Sequence, residues 1–275
     1  MRKYWFLLIL IFVWINSCQK QIPVGLSSFT AYEDYHSSQD SVWLKIRKEI
    51  PGPIHFYLSS KNQYVDEQLK AIAPIILTDD RDRRSIELAH QETDSLALRK
   101  SFSGNSYFGN PMSLDTQLTL AWPFPKGKKY KITQAYNGSF SHQSEDSRYA
   151  IDFNLAVGDT ICAAQDGLVV NVLQENTKGG NNRKYEDFAN YITIYHPDGY
   201  LTQYVHLKPN SAFVKAGEQV KKGQPIALSG LTGFTSGSHL HFNVRKPMIK
   251  KVPSTPAVFE QMAGKDLKKG MWVEH

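Results

Sequence analysis

Ser238-His239-Leu240-His241-Phe242-Asn243-Val244 alternates polar and apolar side chains, the period of a β-strand with one buried face. Residues two apart on a strand share a face. His239 and His241 therefore project side by side, while Leu240, Phe242 and Val244 are free to pack a core on the other side. A rigid strand places two imidazoles better than a loop does, which suits one metal ligand beside one catalytic group. The same pattern fits two histidines on a solvated face, so other residues must decide.

Asp152 lies in Tyr149-Ala150-Ile151-Asp152-Phe153. With Ile151 and Phe153 on one face its carboxylate points to the other, where it is costly unless paired or metal-bound. His142 lies ten residues upstream, and His206, in Tyr204-Val205-His206-Leu207, lies downstream. Two histidines and one aspartate make an N,N,O set suited to zinc, and a catalytic zinc keeps a fourth position for water. Spare histidines nearby handle protons. His36, His55 and His90 have no partner spacing and read as surface or strand histidines. His196, before Pro197-Asp198-Gly199, reads as a turn residue, and His275 as a disordered end.

A hydrophobic share of 41% and an aromatic share of 12% over 275 residues describe a packed globular protein. The net charge of +6 favours anionic surfaces. There is no arginine-rich cluster with interleaved aromatics, so no nucleic-acid partner is expected. Arg2 and Lys3 precede an apolar run, Tyr4 to Ile15, in the layout of a secretory signal. That run is shorter than the roughly 20 residues a membrane span needs. Ile15-Asn16-Ser17-Cys18 resembles the bacterial lipobox, which implies a signal peptide over 1–17 and a lipid on Cys18. Gln19 after it suggests an outer-membrane, periplasm-facing lipoprotein. With Cys18 acylated, Cys162 has no disulfide partner and reads as a small buried side chain.

Residues 18–118 read as a tether followed by a small β-rich, sandwich-like domain. Ser41 to Ile50 and Ile54 to Ser59 are strands around the turn Pro51-Gly52-Pro53, Arg84 to Arg99 is strand-poor, and Leu118 to Ala121 is a short strand. Residues 119–275 form a second, all-β domain. Its short strands are Tyr149–Phe153, Gly167–Val172, Tyr191–Tyr195, Leu201–Val205, Gln224–Leu228 and His239–Val244, with a polar rim loop over Gln174–Asn182. This second domain has no long helical pattern.

From about Trp122 to Arg245 the segments fall in a familiar order. Tyr149-Ala150-Ile151-Asp152-Phe153 comes first, then Val157-Gly158-Asp159-Thr160-Ile161-Cys162-Ala163-Ala164 with Asp166-Gly167-Leu168-Val169. Asn190-Tyr191-Ile192-Thr193-Ile194-Tyr195-His196, Tyr204-Val205-His206-Leu207, Gly230-Leu231-Thr232-Gly233 and Ser238-His239-Leu240-His241-Phe242 follow. This set resembles the LytM/lysostaphin-type zinc metallopeptidase family, M23. The resemblance implies an antiparallel β-sheet peptidase domain holding one zinc per chain through Asp152 and His241. His206 and His239 would be the catalytic histidines, and the substrate a peptide crosslink of bacterial peptidoglycan. The usual pattern has a histidine four residues before the aspartate, where this chain has Arg148, and a guanidinium has no lone pair to give. The chain resembles a subgroup in which Phe-Ser-His precedes Arg-Tyr-Ala-x-Asp-Phe and the displaced histidine takes the ligand role. That makes His142 the third ligand, with Glu145 and Asp146 as fallback oxygen donors. The chain is expected to act as a monomer. The alternative is an inactive LytM-type domain that binds wall or recruits and activates other wall hydrolases.

Overall fold

The structure, a computed structural model, describes residues 34–275 apart from Gln39, Glu49, 79–82, Thr93 and 114–117. Cys18 and the amino-terminal apolar run lie outside the described residues.

The front part runs β1 (Asp34–Ser37), β2 (Ser41–Arg47), β3 (Ile54–Ser60), α1 (Gln63–Ile72), β4 (Ile75–Leu77), β5 (Arg83–Ala89), α2 (Ser95–Ser101) and β6 (Phe102–Phe108). Two three-stranded sheets result, in the orders β1-β2-β5 and β4-β3-β6. The strands flanking Pro51-Gly52-Pro53 are therefore in different sheets rather than one hairpin. One expectation is corrected. Arg84–Arg99 contains β5, which pairs along its whole length with β2, because Ile86 and Leu88 alternate with exposed Ser85 and Glu87. The domain also carries helices. Asn62 caps α1 by accepting from Val65 N, and Val65 and Leu69, one turn apart, bury its inner side. They pack with Val42, Leu44, Leu88 and Leu98.

The second part continues with β7 (Thr119–Leu120), β8 (Lys129–Gln134), β9 (Ile151–Phe153), β10 (Thr160–Cys162), β11 (Gly167–Leu173), β12 (Gly179–Gly180), β13 (Tyr191–Tyr195) and β14 (Leu201–Val205). It ends with β15 (Gln219–Val220), β16 (Pro225–Leu228), β17 (Gly233–Phe234), β18 (Leu240–Arg245), β19 (Val258–Phe259) and β20 (Trp272–Glu274). Eight of these form one antiparallel sheet, ordered β15-β11-β13-β14-β18-β9-β8-β20. One face packs an aromatic core: Trp122 stacks on Phe259 at 4.3 Å, and Phe124 meets Phe153 edge-on at 5.6 Å. Each such fully buried side chain contributes roughly 1.5–3 kcal/mol. Cys162 is buried in this domain, and burial pushes its thiol up to about 11, which keeps it unreactive.

The opposite face is divided. Val205 is opposite His241 and Leu201 is opposite Arg245, so the period of two puts Leu201 on the same face as His241. Leu201, Val170 and Val252 share one buried cluster with Ile54, Phe56 and Phe108 of the front part. The front part thus covers one end of the face that bears His241 at the other. Gly109 makes the close approach possible. Its φ is +85°, and a Cβ there would lie 2.1 Å from Pro247 Cγ. His55, read as a surface or strand histidine, lies on β3 and is fully buried at this seam, with Nδ1 2.8 Å from Gly109 O and Nε2 3.2 Å from Met248 O. His90 is buried as well. His275 is not a loose end, since its backbone bonds with Gly127 and Lys128 and its ring donates to Phe124 O at 2.6 Å.

His196 is more than a turn residue. It is wholly buried, its Nδ1–H donates to Asp166 O at 2.8 Å, and its Nε2 lies 2.8 Å from the Thr202 hydroxyl. Burial lowers its pKa from 6.5 to about 4. The unfolded chain takes up this proton below about pH 6.5, whereas the folded ring resists until about pH 4. Stability from this residue is therefore complete above pH 6.5 and lost as pH falls toward 4, by roughly 3 kcal/mol in all. Urea unfolding of wild type and His196→Gln across that window should show a flatter curve for the variant.

Candidate active site and metal centre

β9 and β18 are neighbours with Asp152 directly opposite His241, which gives both side chains the same face. His142 reaches them from the loop after β8. The three donor atoms converge: Asp152 Oδ1 lies 3.0 Å from His241 Nδ1 and 3.2 Å from His142 Nε2, and the two ring nitrogens are 3.2 Å apart. All three residues are buried. His142 Nδ1–H donates to Ala135 O at 3.0 Å, which leaves Nε2 as a lone pair. Three electron-rich atoms aimed at one point suit a shared cation. Tetrahedral zinc bonds of about 2.0–2.1 Å put ligand atoms roughly 3.3 Å apart, within a few tenths of an ångström of these separations. The residues present fit the metal.

Two further histidines stand beside the triad. His206 follows β14 with φ +66°, a left-handed conformation rare for a side chain of this size and typical of strain held at functional sites. Its Nδ1–H donates to Thr232 O at 2.7 Å. His239 does the same to Gly237 O at 2.9 Å, with Thr235 Oγ1 at 3.2 Å. Both rings therefore present Nε2 inward, and their centroids are 4.6 Å apart. His239 Nε2 is 3.7 Å from Asp152 Oδ2. It sits just before β18 rather than on it. Burial, with His239 and His241 alongside, holds His206 well below the usual histidine range. Burial alone would raise Asp152, but the imidazoles of His239, His142 and His241 hold its carboxyl well below the usual range. At neutral pH the site is an ionised carboxylate facing a neutral, tautomer-fixed His206.

The loop between His142 and Asp152 is held from behind. Gln134 Nε2 donates to Asp152 Oδ2 at 3.0 Å, and its Oε1 accepts from Phe140 N at 3.1 Å. A Cβ on Gly138 would lie 2.2 Å from Gln134 Cγ, so this approach demands glycine. Arg245 Nη2 pairs with Asp146 Oδ1 at 2.5 Å, and Asn243 Nδ2 donates to Asp146 O at 2.6 Å. Glu145 pairs with Lys251 at 2.5 Å. The fallback oxygen donors are thus corrected to anchors for the loop, and neither joins the triad. Gln134, Thr235 and Arg245 are the residues sequence reasoning missed. The Arg245 guanidinium is buried, so Asp146→Ala strands a cation. The expected loss is about 3–5 kcal/mol in denaturant unfolding.

An antiparallel sheet thus bears a buried N,N,O triad able to hold one metal ion, with two histidines at its edge. Residues 146–256 match the family model of peptidase family M23. Asp152, His206, His239 and His241 fall inside the matched segment, and His142 lies just before it. Among curated relatives, an uncharacterized metalloprotease of Buchnera aphidicola is 36% identical over 124 residues, 44% of this chain and 30% of its own length. The peptidoglycan DD-endopeptidase ShyB of Vibrio cholerae is 35% identical over 125 residues, 44% of this chain and 26% of its own. The glycyl-glycine endopeptidase ALE-1 of Staphylococcus capitis is 37% identical over 97 residues, 35% of this chain and 24% of its own. The chain thus spans less than a third of the length of these curated relatives.

Proposed function

We propose that this chain is a zinc-dependent endopeptidase that cleaves peptide crosslinks of bacterial peptidoglycan. The observation that carries the reading is the convergence of three ligand-type atoms, two from facing strands and one from a clamped loop, beside two histidines whose Nδ1 atoms are tied to backbone carbonyls. The names of two relatives, a peptidoglycan DD-endopeptidase and a glycyl-glycine endopeptidase, support a peptide-bond substrate, and the first supports peptidoglycan. His142 Nε2, Asp152 Oδ1 and His241 Nδ1 would hold the metal. Bound zinc supplies Lewis acidity to the scissile carbonyl and acidifies water. The chain's own residues manage the protons. Nδ1 of His206 and of His239 is anchored to a backbone carbonyl, so a proton exchanged at Nε2 leaves the ring in place. Gln134 fixes the Asp152 carboxylate, so Oδ1 remains aimed at the donor cluster.

The reading of an inactive recruiting domain rests on Arg148, but the position that Arg148 leaves unfilled in the usual pattern is supplied in space by His142. Purified sacculi and crosslinked dimeric muropeptides test the proposal. The protein should convert dimers to monomers, lose this activity to a chelator and regain it with zinc. Full turnover in chelator, or none with zinc restored, overturns it. We also propose that Cys18 carries a lipid that holds the protein at the periplasmic face of the outer membrane. Cys18→Ser should then move the protein from the membrane to the soluble fraction.

A further inference from the structure

We propose that the outer face of the β8–β20 ribbon is a docking surface for an anionic phospholipid bilayer. On β8, Tyr130 and Ile132 are buried while Lys129 and Lys131 are exposed. Register puts Trp272 opposite Lys131 and Glu274 opposite Lys129. At one end, Gly127 N donates to His275 O and His275 N donates to Lys128 O, which ties in the turn carrying exposed Lys126 and Lys128. At the other, Ile132 N donates to Met271 O and Gly270 N to Ile132 O, which ties in exposed Lys268 and Lys269. Lys265, also exposed, precedes them. Seven ammonium groups thus line one ribbon, whose own segments carry Asp266 and Glu274 as acidic side chains, with Glu260 in electrostatic reach of Lys126. Among the described residues none of the seven is in an ion pair. Trp272 stands among them 58% exposed, with Lys129 Nζ 5.9 Å from its ring centre.

Protection of a sheet edge by lysines accounts for part of this pattern, but β20, the edge strand itself, holds no lysine and displays a bare tryptophan. Lysines are hydrated point charges without arginine's fork, and they suit a flat, fluid array of phosphates better than one shaped ligand. An exposed indole among them matches the headgroup level of a bilayer, where its ring is half apolar and half wet. Each lysine near an anionic surface strengthens partitioning about five-fold. The proposal is independent of the peptidase reading.

Vesicle sedimentation of the full chain tests it, comparing phosphatidylcholine alone with phosphatidylcholine containing phosphatidylglycerol. Any contribution of the amino-terminal apolar run appears in both. The anionic vesicles should bind at least tenfold better, and 0.5 M salt should remove most of that excess. Lys129→Gln combined with Lys131→Gln, Lys268→Gln and Lys269→Gln should bring binding to the two vesicle types to within about twofold. Trp272→Ala should reduce the excess several-fold and remove the extra blue shift of tryptophan emission that the anionic vesicles produce over phosphatidylcholine alone. Thermal unfolding and cleavage of soluble muropeptides should stay as in wild type. Equal binding to both vesicle types, an unchanged excess in the quadruple variant, or lysine-dependent binding to sacculi without vesicle binding overturns the proposal.

Discussion

His241→Ala lowers kcat/KM on crosslinked muropeptides by at least about 10³-fold and removes the bound metal. Outer groups around a metal typically matter 10- to 100-fold, and His241 supplies one of the three donors itself, with Nδ1 at 3.0 Å from Asp152 Oδ1 and 3.2 Å from His142 Nε2. Its backbone stays paired to β9 and β14, so the strand survives the truncation. Circular dichroism should match wild type while zinc content falls to the background. A variant that keeps both its zinc and its full rate would refute the ligand assignment.

His206→Ala separates proton handling from metal binding. His206 is not in the triad, and its Nε2 faces the site because Nδ1 is tied to Thr232 O at 2.7 Å. The expected result is a kcat reduced by about 10²- to 10⁴-fold, the range for loss of a positioned acid–base group, with zinc content unchanged. Loss of zinc equal to that in His241→Ala would place His206 among the ligands instead. A rate unchanged from wild type would remove it from the chemistry altogether.

What the sequence disclosed follows from the range of the forces involved. Strands of the large sheet declare themselves by local alternation, so Tyr191–Tyr195 and Leu201–Val205 are read with their observed limits. The Asp152–His241 pairing follows from two such strands becoming neighbours, and segment order was enough to suggest it. The front part was less legible. β5 opens on arginines, and its identity depends on pairing with β2 some forty residues earlier. α1 buries only Val65 and Leu69, too narrow an apolar stripe to stand out. His55 and His90 carry no local mark of burial, because the surfaces that cover them come from elsewhere in the chain. The supports of the site were illegible for the same reason. Gln134 and Arg245 look like ordinary strand polar residues until the fold sets them against Asp152 and Asp146. The left-handed backbone at His206 has no sequence signal, since the residue is neither glycine nor asparagine.

The displaced histidine is where the account is most exposed, since it departs from the commoner ligand spacing and lies outside the matched segment. Calorimetric titration of zinc into metal-free wild type, His142→Ala and Glu145→Gln tests it directly. Wild type should bind one zinc per chain, Glu145→Gln should bind as wild type, and His142→Ala should bind at least about 100-fold more weakly. Undiminished affinity in His142→Ala would contradict the triad, and a loss in Glu145→Gln alone would hand the third position to a carboxylate.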